Sequence, residues 1–172
     1  RCVALTPDGK TLVSGGQDGL IKFWDRHDQK EARLVKSFKG HGGAVLGMAL
    51  TPDGKVLAAG SSKGLVEVWN ADGGEEAAQS LIGHEGDVPG IALSRDGTRL
   101  ASAGADKTVK IWDTRTGMCV HTLTGHEGQV NCVAFSMNAD QVLSGGSDGK
   151  IILWDADQGT RLKTLEGHPG PV

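Results

Sequence analysis

The chain has 172 residues, of which 18 are Lys or Arg and 21 are Asp or Glu, so its formal net charge is −3 at pH 7. Because the basic residues are scattered singly, this balance argues against a nucleic-acid-binding surface. No stretch is long and apolar enough to predict a membrane span, and the length is typical of one domain with a buried core.

In chain order, each quarter of the sequence opens with a short apolar strand. The four strands are CVALTP, VLGMALTP, PGIALS and VNCVAFS, and their β-branched content is typical of buried strands. Turn residues follow each strand: Pro7-Asp8-Gly9, Pro52-Asp53-Gly54, Asp96-Gly97 and the weaker Asn138-Ala139. Asp-Gly supplies the positive φ that a tight hairpin requires, so each pair of flanking strands is predicted to be antiparallel.

Three more strands are predicted in each quarter. A second strand, such as TLVSGG, leads through another turn to a third strand that ends in tryptophan. In the fourth strand, such as CVHTL, apolar and polar residues alternate, as expected of an outer strand with one face exposed to water. The pattern predicts about 16 strands and no helix of useful length.

Two dipeptides recur with a fixed period. The tryptophans of the Trp-Asp or Trp-Asn pairs are spaced 45, 43 and 42 residues apart, and the Gly-His pairs 43, 42 and 42. They are Trp24, Trp69, Trp112 and Trp154, and Gly40-His41, Gly83-His84, Gly125-His126 and Gly167-His168. A period just above 40 residues with these two dipeptides is typical of propeller blades.

On these motifs the chain resembles the WD40-repeat β-propeller family from end to end. The resemblance implies an all-β fold, with four blades of four antiparallel strands arranged radially round a central channel. The blades would span about 1–40, 41–83, 84–125 and 126–168 of a single unit, 1–172, with 169–172 leading into the next blade.

Each unit also aligns a His, a Ser eighteen residues later, an Asp four after the Ser, and the Trp six further on. In WD-repeat proteins similar residues form an internal hydrogen-bond tetrad, in which the His meets the Asp and the Ser, and the Ser hydroxyl meets the indole N–H. The resemblance assigns this role to His84, Ser102, Asp106 and Trp112, to His126, Ser144, Asp148 and Trp154, and, when the chain ends are joined, to His168, Ser14, Asp18 and Trp24. A hydrolase triad is the rival interpretation, but no Gly-x-Ser-x-Gly elbow surrounds any of these serines.

The second unit departs from this pattern. Ala59 replaces the Ser, Lys63 replaces the Asp, and Asn70 replaces the Asp after Trp, so we expect His41 to bond to backbone or water instead. One interpretation is drift in a blade that its neighbours hold in place. The other is recruitment of Lys63, at the upper rim, for binding. The sequence leaves both open.

In relatives, ligands usually bind the upper face around the mouth of the channel, at positions that flank the first strand or precede the turn Asp. The corresponding residues are Arg1, Gln17, Ala44, Leu46, Ser62, Asp87, Pro89, Ala105, Gln129, Asn131, Ser147 and Pro171, to which Lys63 is added as the residue in the turn-Asp position of the second unit. We predict a non-enzymatic scaffold that binds a protein or peptide there. The alternative is a small-molecule-binding or catalytic propeller with its site at the central channel. No metal-ligand spacing or phosphate loop is present, so no cofactor is predicted.

The three cysteines, Cys2, Cys119 and Cys132, show no metal-binding or redox spacing. We predict buried free thiols and a reducing, cytoplasmic location. The first residue is Arg1, inside an expected strand, which favours a piece of a longer or engineered protein.

Joining the end of the sequence to its start gives GHPGPV-RCVALTP, which superimposes on GHEGQV-NCVAFSM without a gap. Four blades alone would form an open arc with exposed apolar faces, which soluble monomers rarely tolerate. We therefore predict a head-to-tail homodimer of eight blades through the first and last blades. The rival is a section of one longer propeller whose other blades close the ring.

Overall fold

The computed structural model describes residues 1–26, 31–40, 42–73, 77 and 79–172. These residues form 16 strands in four antiparallel sheets, each with its strands in chain order. The bounds are β1 (Cys2–Leu5), β2 (Thr11–Gly15), β3 (Leu20–Asp25), β4 (Arg33–Lys39); β5 (Val45–Leu50), β6 (Val56–Ser61), β7 (Leu65–Asn70), β8 (Gln79–Ile82); β9 (Gly90–Leu93), β10 (Arg99–Ala103), β11 (Thr108–Asp113), β12 (Cys119–Thr124); β13 (Val130–Phe135), β14 (Gln141–Gly146), β15 (Ile151–Asp155), β16 (Thr160–Leu165).

The first strand of each sheet lies against the first strand of the next. β5 contacts β1 and β9, and β9 contacts β13, so each sheet is a blade whose innermost strand lines the axis of the array. The predicted all-β fold of four four-stranded blades is confirmed. The described residues contain no helix, and therefore none long and apolar enough to cross a membrane.

The hairpin turns follow the predicted chemistry. Gly9, Gly54 and Gly97 have φ values of 69°, 73° and 72° in the turns between the first and second strands of their blades. In the fourth blade Ala139 takes the same conformation at φ 59°. A non-glycine residue pays a steric penalty there, which matches the weaker turn signal of its sequence.

The core consists of three apolar layers, each packed between two adjacent blades. In the first layer, Val13 and Phe38 of the first blade pack with Leu57 and Trp69 of the second. Trp112 lies in the layer between the second and third blades, and Trp154 in the layer between the third and fourth. Each of these tryptophans therefore faces the preceding blade.

The prediction that all four innermost strands are buried is wrong for the first and last blades. Val3 and Leu5 of β1 are 71% and 49% exposed. Val3 pairs with Ser14 in the β-ladder, and Ser14 bonds Trp24, so these side chains share the face of the first blade that is turned away from the second. In β13, Cys132 and Ala134 are exposed. An innermost strand is buried only where a neighbouring blade covers that face.

The prediction of buried thiols is also wrong for two of the three cysteines. Cys132 is exposed on the uncovered face of β13, and Cys119 is exposed on the outer strand β12, whose outward face meets solvent. Cys2 is half-buried, and burial raises the pKa of its thiol despite the opposing charge of the nearby N-terminus.

Candidate functional site

The third blade contains one continuous chain of side-chain hydrogen bonds. His84 lies in the loop between β8 and β9, Ser102 on β10, Asp106 in the β10–β11 turn and Trp112 on β11. Trp112 Nε1 is 2.8 Å from Ser102 Oγ, and that oxygen is 2.7 Å from His84 Nε2. His84 Nδ1 is 2.8 Å from Asp106 Oδ2. The structure thus brings together the four residues that the spacing aligns.

The donors and acceptors of this hydrogen-bond network fit only one direction of donation, from Trp112 towards Ser102 and from Ser102 through His84 to Asp106. The indole N–H can only donate, so Ser102 Oγ accepts from Trp112 and its hydroxyl proton is free for His84 Nε2. The network then assigns the imidazole proton to Nδ1, where it is donated to the Asp106 carboxylate. Burial lowers the pKa of His84 and outweighs the opposing effect of Asp106, so the ring is neutral at neutral pH. The His84–Asp106 contact is a hydrogen bond with a charged acceptor rather than an ion pair.

Asp106 is held in its charged form by several donors. Burial acts to raise the pKa of its carboxyl, but hydrogen bonds from His84, the Glu85 N–H and Thr108 together keep that pKa below its usual value. The Glu85 N–H is 3.1 Å and the Thr108 hydroxyl 2.8 Å from the carboxylate oxygens. The carboxylate therefore ties the loop before β9 to the turn between β10 and β11.

The fourth blade repeats this arrangement. His126 Nδ1 lies 3.1 and 3.0 Å from the two Asp148 oxygens, and His126 Nε2 lies 2.8 Å from Ser144 Oγ. Trp154 Nε1 donates to the same Ser144 oxygen at 2.8 Å. The backbone N–H of Glu127 also donates to Asp148, at 2.8 Å.

The buried serines are poorly placed for nucleophilic attack. Ser102 is 0% exposed and Ser144 2% exposed, and each Oγ already contacts an indole N–H and an imidazole nitrogen. A nucleophile must reach its substrate, and these hydroxyl groups cannot. The arrangement satisfies buried polar groups and fixes the Gly-His loops against the blade turns.

The first blade carries only part of a tetrad within one copy of the chain. Trp24 Nε1 donates to Ser14 Oγ at 2.9 Å. Asp18 is exposed, and its carboxylate accepts the Leu20 N–H at 3.1 Å. His168 is exposed at the far end of the chain, and among the described residues no hydrogen bond joins it to Ser14 or Asp18.

The second blade uses different residues at the same positions. Trp69 is 1% exposed, and its Nε1 has no hydrogen-bond partner within the described part of the chain, because Ala59 lacks the hydroxyl group found in the other blades. Ser61 Oγ accepts the N–H groups of Lys63 and Leu65, both at 3.3 Å. In the third blade the Asp106 carboxylate accepts the backbone N–H of Thr108, the residue that corresponds to Leu65. His41, expected to bond to backbone or water, lies outside the described residues.

Ser61 stands where the other three blades have glycine, and it fits there because the second blade lacks the turn aspartate. Its counterpart in the third blade is Gly104, where a Cβ atom would overlap His84 Nδ1 and Asp106 Oδ1. A Cβ at Gly42, beside Ser61, would in turn overlap the Ser61 hydroxyl group. Sequence reasoning missed this link, although the signal was visible: glycine stands two residues before each turn Asp, and serine two before Lys63. The turn of the second blade therefore uses the Ser61 hydroxyl group as the acceptor of its N–H groups.

The upper-face positions lie where the tetrad turns meet the loops that lead into the next blade. The backbone N–H of Ala105 donates to the Asp87 carbonyl, and that of Ser147 to the Gln129 carbonyl, both at 2.8 Å. Ser62 makes the same contact with Ala44 at 3.0 Å. Of the predicted partner-binding residues, Arg1, Gln17, Lys63, Asp87, Ser147 and Pro171 are exposed, and Ala44, Leu46, Ser62, Pro89, Ala105, Gln129 and Asn131 are half-buried.

A cavity of about 570 Å³ lies at the opposite end of the first two blades. It is lined by the β1–β2 turn around Asp8, the β5–β6 turn around Asp53, and Lys36 of β4. It therefore lies neither on the upper face nor at the channel mouth, where the alternative small-molecule site was predicted. Within the described ranges no three His, Cys, Asp or Glu side chains are grouped as metal ligands.

Ala59→Ser should raise the free energy of unfolding by about 1 kcal/mol, the net value of a typical hydrogen bond. The new hydroxyl group would stand where Ser102 stands in the third blade and would accept the Trp69 N–H, which has no partner among the described residues. Urea denaturation measures the change. Ala58→Ser is the matched control, because Ala58 is equally buried but lies in the other apolar layer, away from Trp69. Equal destabilisation by both variants would contradict the expectation.

The free energy of unfolding should fall as the pH drops below about 6.5, the ordinary pKa of histidine. The pKa of His84 is lower in the folded chain than in the unfolded chain, so the unfolded state binds the proton first and acid favours unfolding. Denaturation midpoints between pH 7.5 and 5 measure this slope. His84→Gln should be less stable at neutral pH but show a shallower pH dependence; an unchanged slope would contradict the expectation.

A search of protein-family models finds that the model described as "WD domain, G-beta repeat" matches residues 1–25, 32–70, 75–113 and 117–155. Each match after the first contains the outer strand of one blade and three strands of the next, so a sequence repeat extends over two blades. The His of each complete tetrad stands at this junction, in the loop between those two blades.

Proposed function

Because the chain belongs to the WD40-repeat family, whose members generally bind other proteins, we propose that it is a non-enzymatic scaffold that docks a protein or peptide on the upper face of its blades. The supporting observation is a contrast between neighbouring positions. The tetrad residues of the third and fourth blades are identical, and their His, Ser and Trp are buried while their Asp is half-buried. The residue before the turn Asp differs between the two blades: it is Ala105 in one and Ser147 in the other.

This contrast supports a binding role for the upper face because the turn backbone is fixed while its side chains vary. The tetrad holds the turn from below, and the N–H of Ala105 or Ser147 ties it to the neighbouring loop. Changes at such positions can alter specificity without altering the fold. Lys63, exposed at the turn-Asp position of the second blade, belongs to the proposed surface.

The test compares charge reversals on the two ends of the blades. Asp87→Lys changes the exposed upper face, and Asp72→Lys makes the same change at an exposed position in the turn after β7, at the other end. Tagged proteins are used to capture partners from an extract, and each captured protein is then purified and titrated against both variants. We expect Asp87→Lys to weaken binding at least tenfold and Asp72→Lys to leave it unchanged. The reverse order would contradict upper-face docking.

Self-association is a second interaction that we propose. The apolar faces of the first and last blades would dock a second copy of the chain head to tail, giving eight blades round one channel. Light scattering tests this: a mass near the 17.9 kDa of one protomer, in folded protein, would contradict it.

A further inference from the structure

We infer that the tetrad of the first blade is completed in trans, with His168 of a second copy bonding Asp18 and Ser14 of this one. The inference rests on the proposed self-association and adds to it a specific polar contact across the interface. It depends on an incomplete tetrad at one end of the array and an unused histidine at the other.

The first blade has the acceptor side of a tetrad in place. Trp24 donates to Ser14 Oγ at 2.9 Å, as Trp112 donates to Ser102 at 2.8 Å. Ser14 is only half-buried, whereas Ser102 is 0% exposed. The difference is that His84 covers Ser102, while the corresponding position over Ser14 is open to solvent.

The loop that carries His168 resembles the His126 loop in backbone conformation and the His84 loop in its contact with the preceding blade. Gly167 has φ 151°, close to the 154° of Gly125, which precedes His126. The His168 carbonyl approaches Gly149 as the His84 carbonyl approaches Gly64. The His168 loop therefore rests on the fourth blade as the His84 loop rests on the second, and His168 is exposed.

The residues after His168 already follow the path into a next blade. Val172 N–H donates to the Gly146 carbonyl at 3.0 Å, as Val130 donates to Gly104 at 3.1 Å. The amide of Asn131 donates to the Val172 carbonyl at 2.7 Å. Val172 thus occupies the position that Val130 occupies one blade earlier.

The apolar faces at the two ends correspond to the two halves of an internal interface. Leu143 and Leu165 are each 42% exposed on the last blade, where the equivalent Val13 and Phe38 of the first blade are 0% and 1% exposed. On the first blade Val3 is 71% exposed, where the equivalent Ile91 is 9% exposed. The exposed face of the last blade therefore matches the face that the first blade buries against the second, and the exposed face of the first blade matches one that an internal blade buries.

A second copy is the occupant that fits both faces in register. His168 and Ser14 are eighteen residues apart when the end of one copy is followed by the start of the other, as His84 and Ser102 are within the chain. A different protein would have to supply both an inner-strand face and a tetrad histidine at that spacing. A blade from another part of a longer protein is the competing occupant, and a folded monomer of this chain would favour it.

Two single variants provide the test: Asp18→Ala and His168→Ala. Each should raise the dimer dissociation constant about tenfold or more, because each leaves a partner group unsatisfied in both interfaces. His121→Ala, a change of a histidine on an outer strand, is the control and should leave the constant unchanged. Sedimentation equilibrium measures all three.

Mixing the two variants gives the decisive result. Each homodimer has no intact trans tetrad, whereas a mixed dimer pairs the Asp18 of one copy with the His168 of the other and restores one. Native mass spectrometry should show mixed dimers in excess of the statistical half. A dimer with statistical mixing and unchanged dissociation constants would overturn the trans tetrad alone, and a folded monomer would overturn the self-association as well.

Discussion

Asp106→Ala is expected to lower the free energy of unfolding by about 1–3 kcal/mol, the cost of stranding a buried hydrogen-bond partner. The change leaves the His84 Nδ1–H without its acceptor and also removes the acceptor of the Glu85 N–H. Both groups belong to the loop between the second and third blades, so the loss should loosen that junction. Urea denaturation at a fixed protein concentration measures it, because self-association would otherwise add to the apparent stability.

Asp87→Ala is the control for this experiment. Asp87 is an exposed acid on the same loop, and only its backbone carbonyl contacts the neighbouring turn. Its replacement should change the free energy of unfolding by less than about 0.5 kcal/mol. Equal effects of the two substitutions would mean that the tetrad contributes no more than an ordinary surface charge.

The fold could be predicted from the sequence because its determinants are local and repeated. Each Asp-Gly turn specifies a hairpin, and the fixed spacing of Gly-His and Trp repeats the same hairpins in each blade. The tetrads of the third and fourth blades follow from the same spacing, since their four members lie within one repeat. The turn at Asn138-Ala139, which has the weakest sequence signal, also forms, and Ala139 adopts a strained positive φ there.

Burial could not be predicted in the same way because it depends on a neighbouring blade. Cys2 and Cys132 occupy equivalent places in innermost strands, yet one is half-buried and the other exposed. Gly15, which pairs with Cys2 in the β-ladder, is covered by Val45 of the second blade. Gly145, the equivalent glycine beside Cys132, is covered instead by the last residue, Val172. No local pattern distinguishes these two environments.

The second blade shows a different limit. Alignment identified the missing Ser and Asp, but not that Ser61 replaces the turn acceptor or that Gly42 makes room for it. That relation is steric and appears only when the Cβ positions are known. It also predicts which substitutions should destabilise the third blade.

Gly104→Ala should lower the free energy of unfolding by about 1–3 kcal/mol, as overpacking of a close-packed site does. Gly104 is buried at a φ that other residues can adopt, so the cost is steric rather than conformational. The added Cβ would overlap His84 Nδ1 and Asp106 Oδ1 and force the two groups apart. Urea denaturation measures the loss.

A double-mutant cycle with Asp106→Ala identifies the cause of that loss. If the new Cβ acts by displacing the Asp106 carboxylate, then removing the carboxylate first takes away one of the two overlaps, and the second change costs less. The two losses should therefore fall short of additivity by more than about 0.5 kcal/mol, the limit for independent sites. Additive losses would show that Gly104 is required for a reason other than the tetrad. Ser61, tolerated where Lys63 has replaced the aspartate, is the natural precedent for the coupled result.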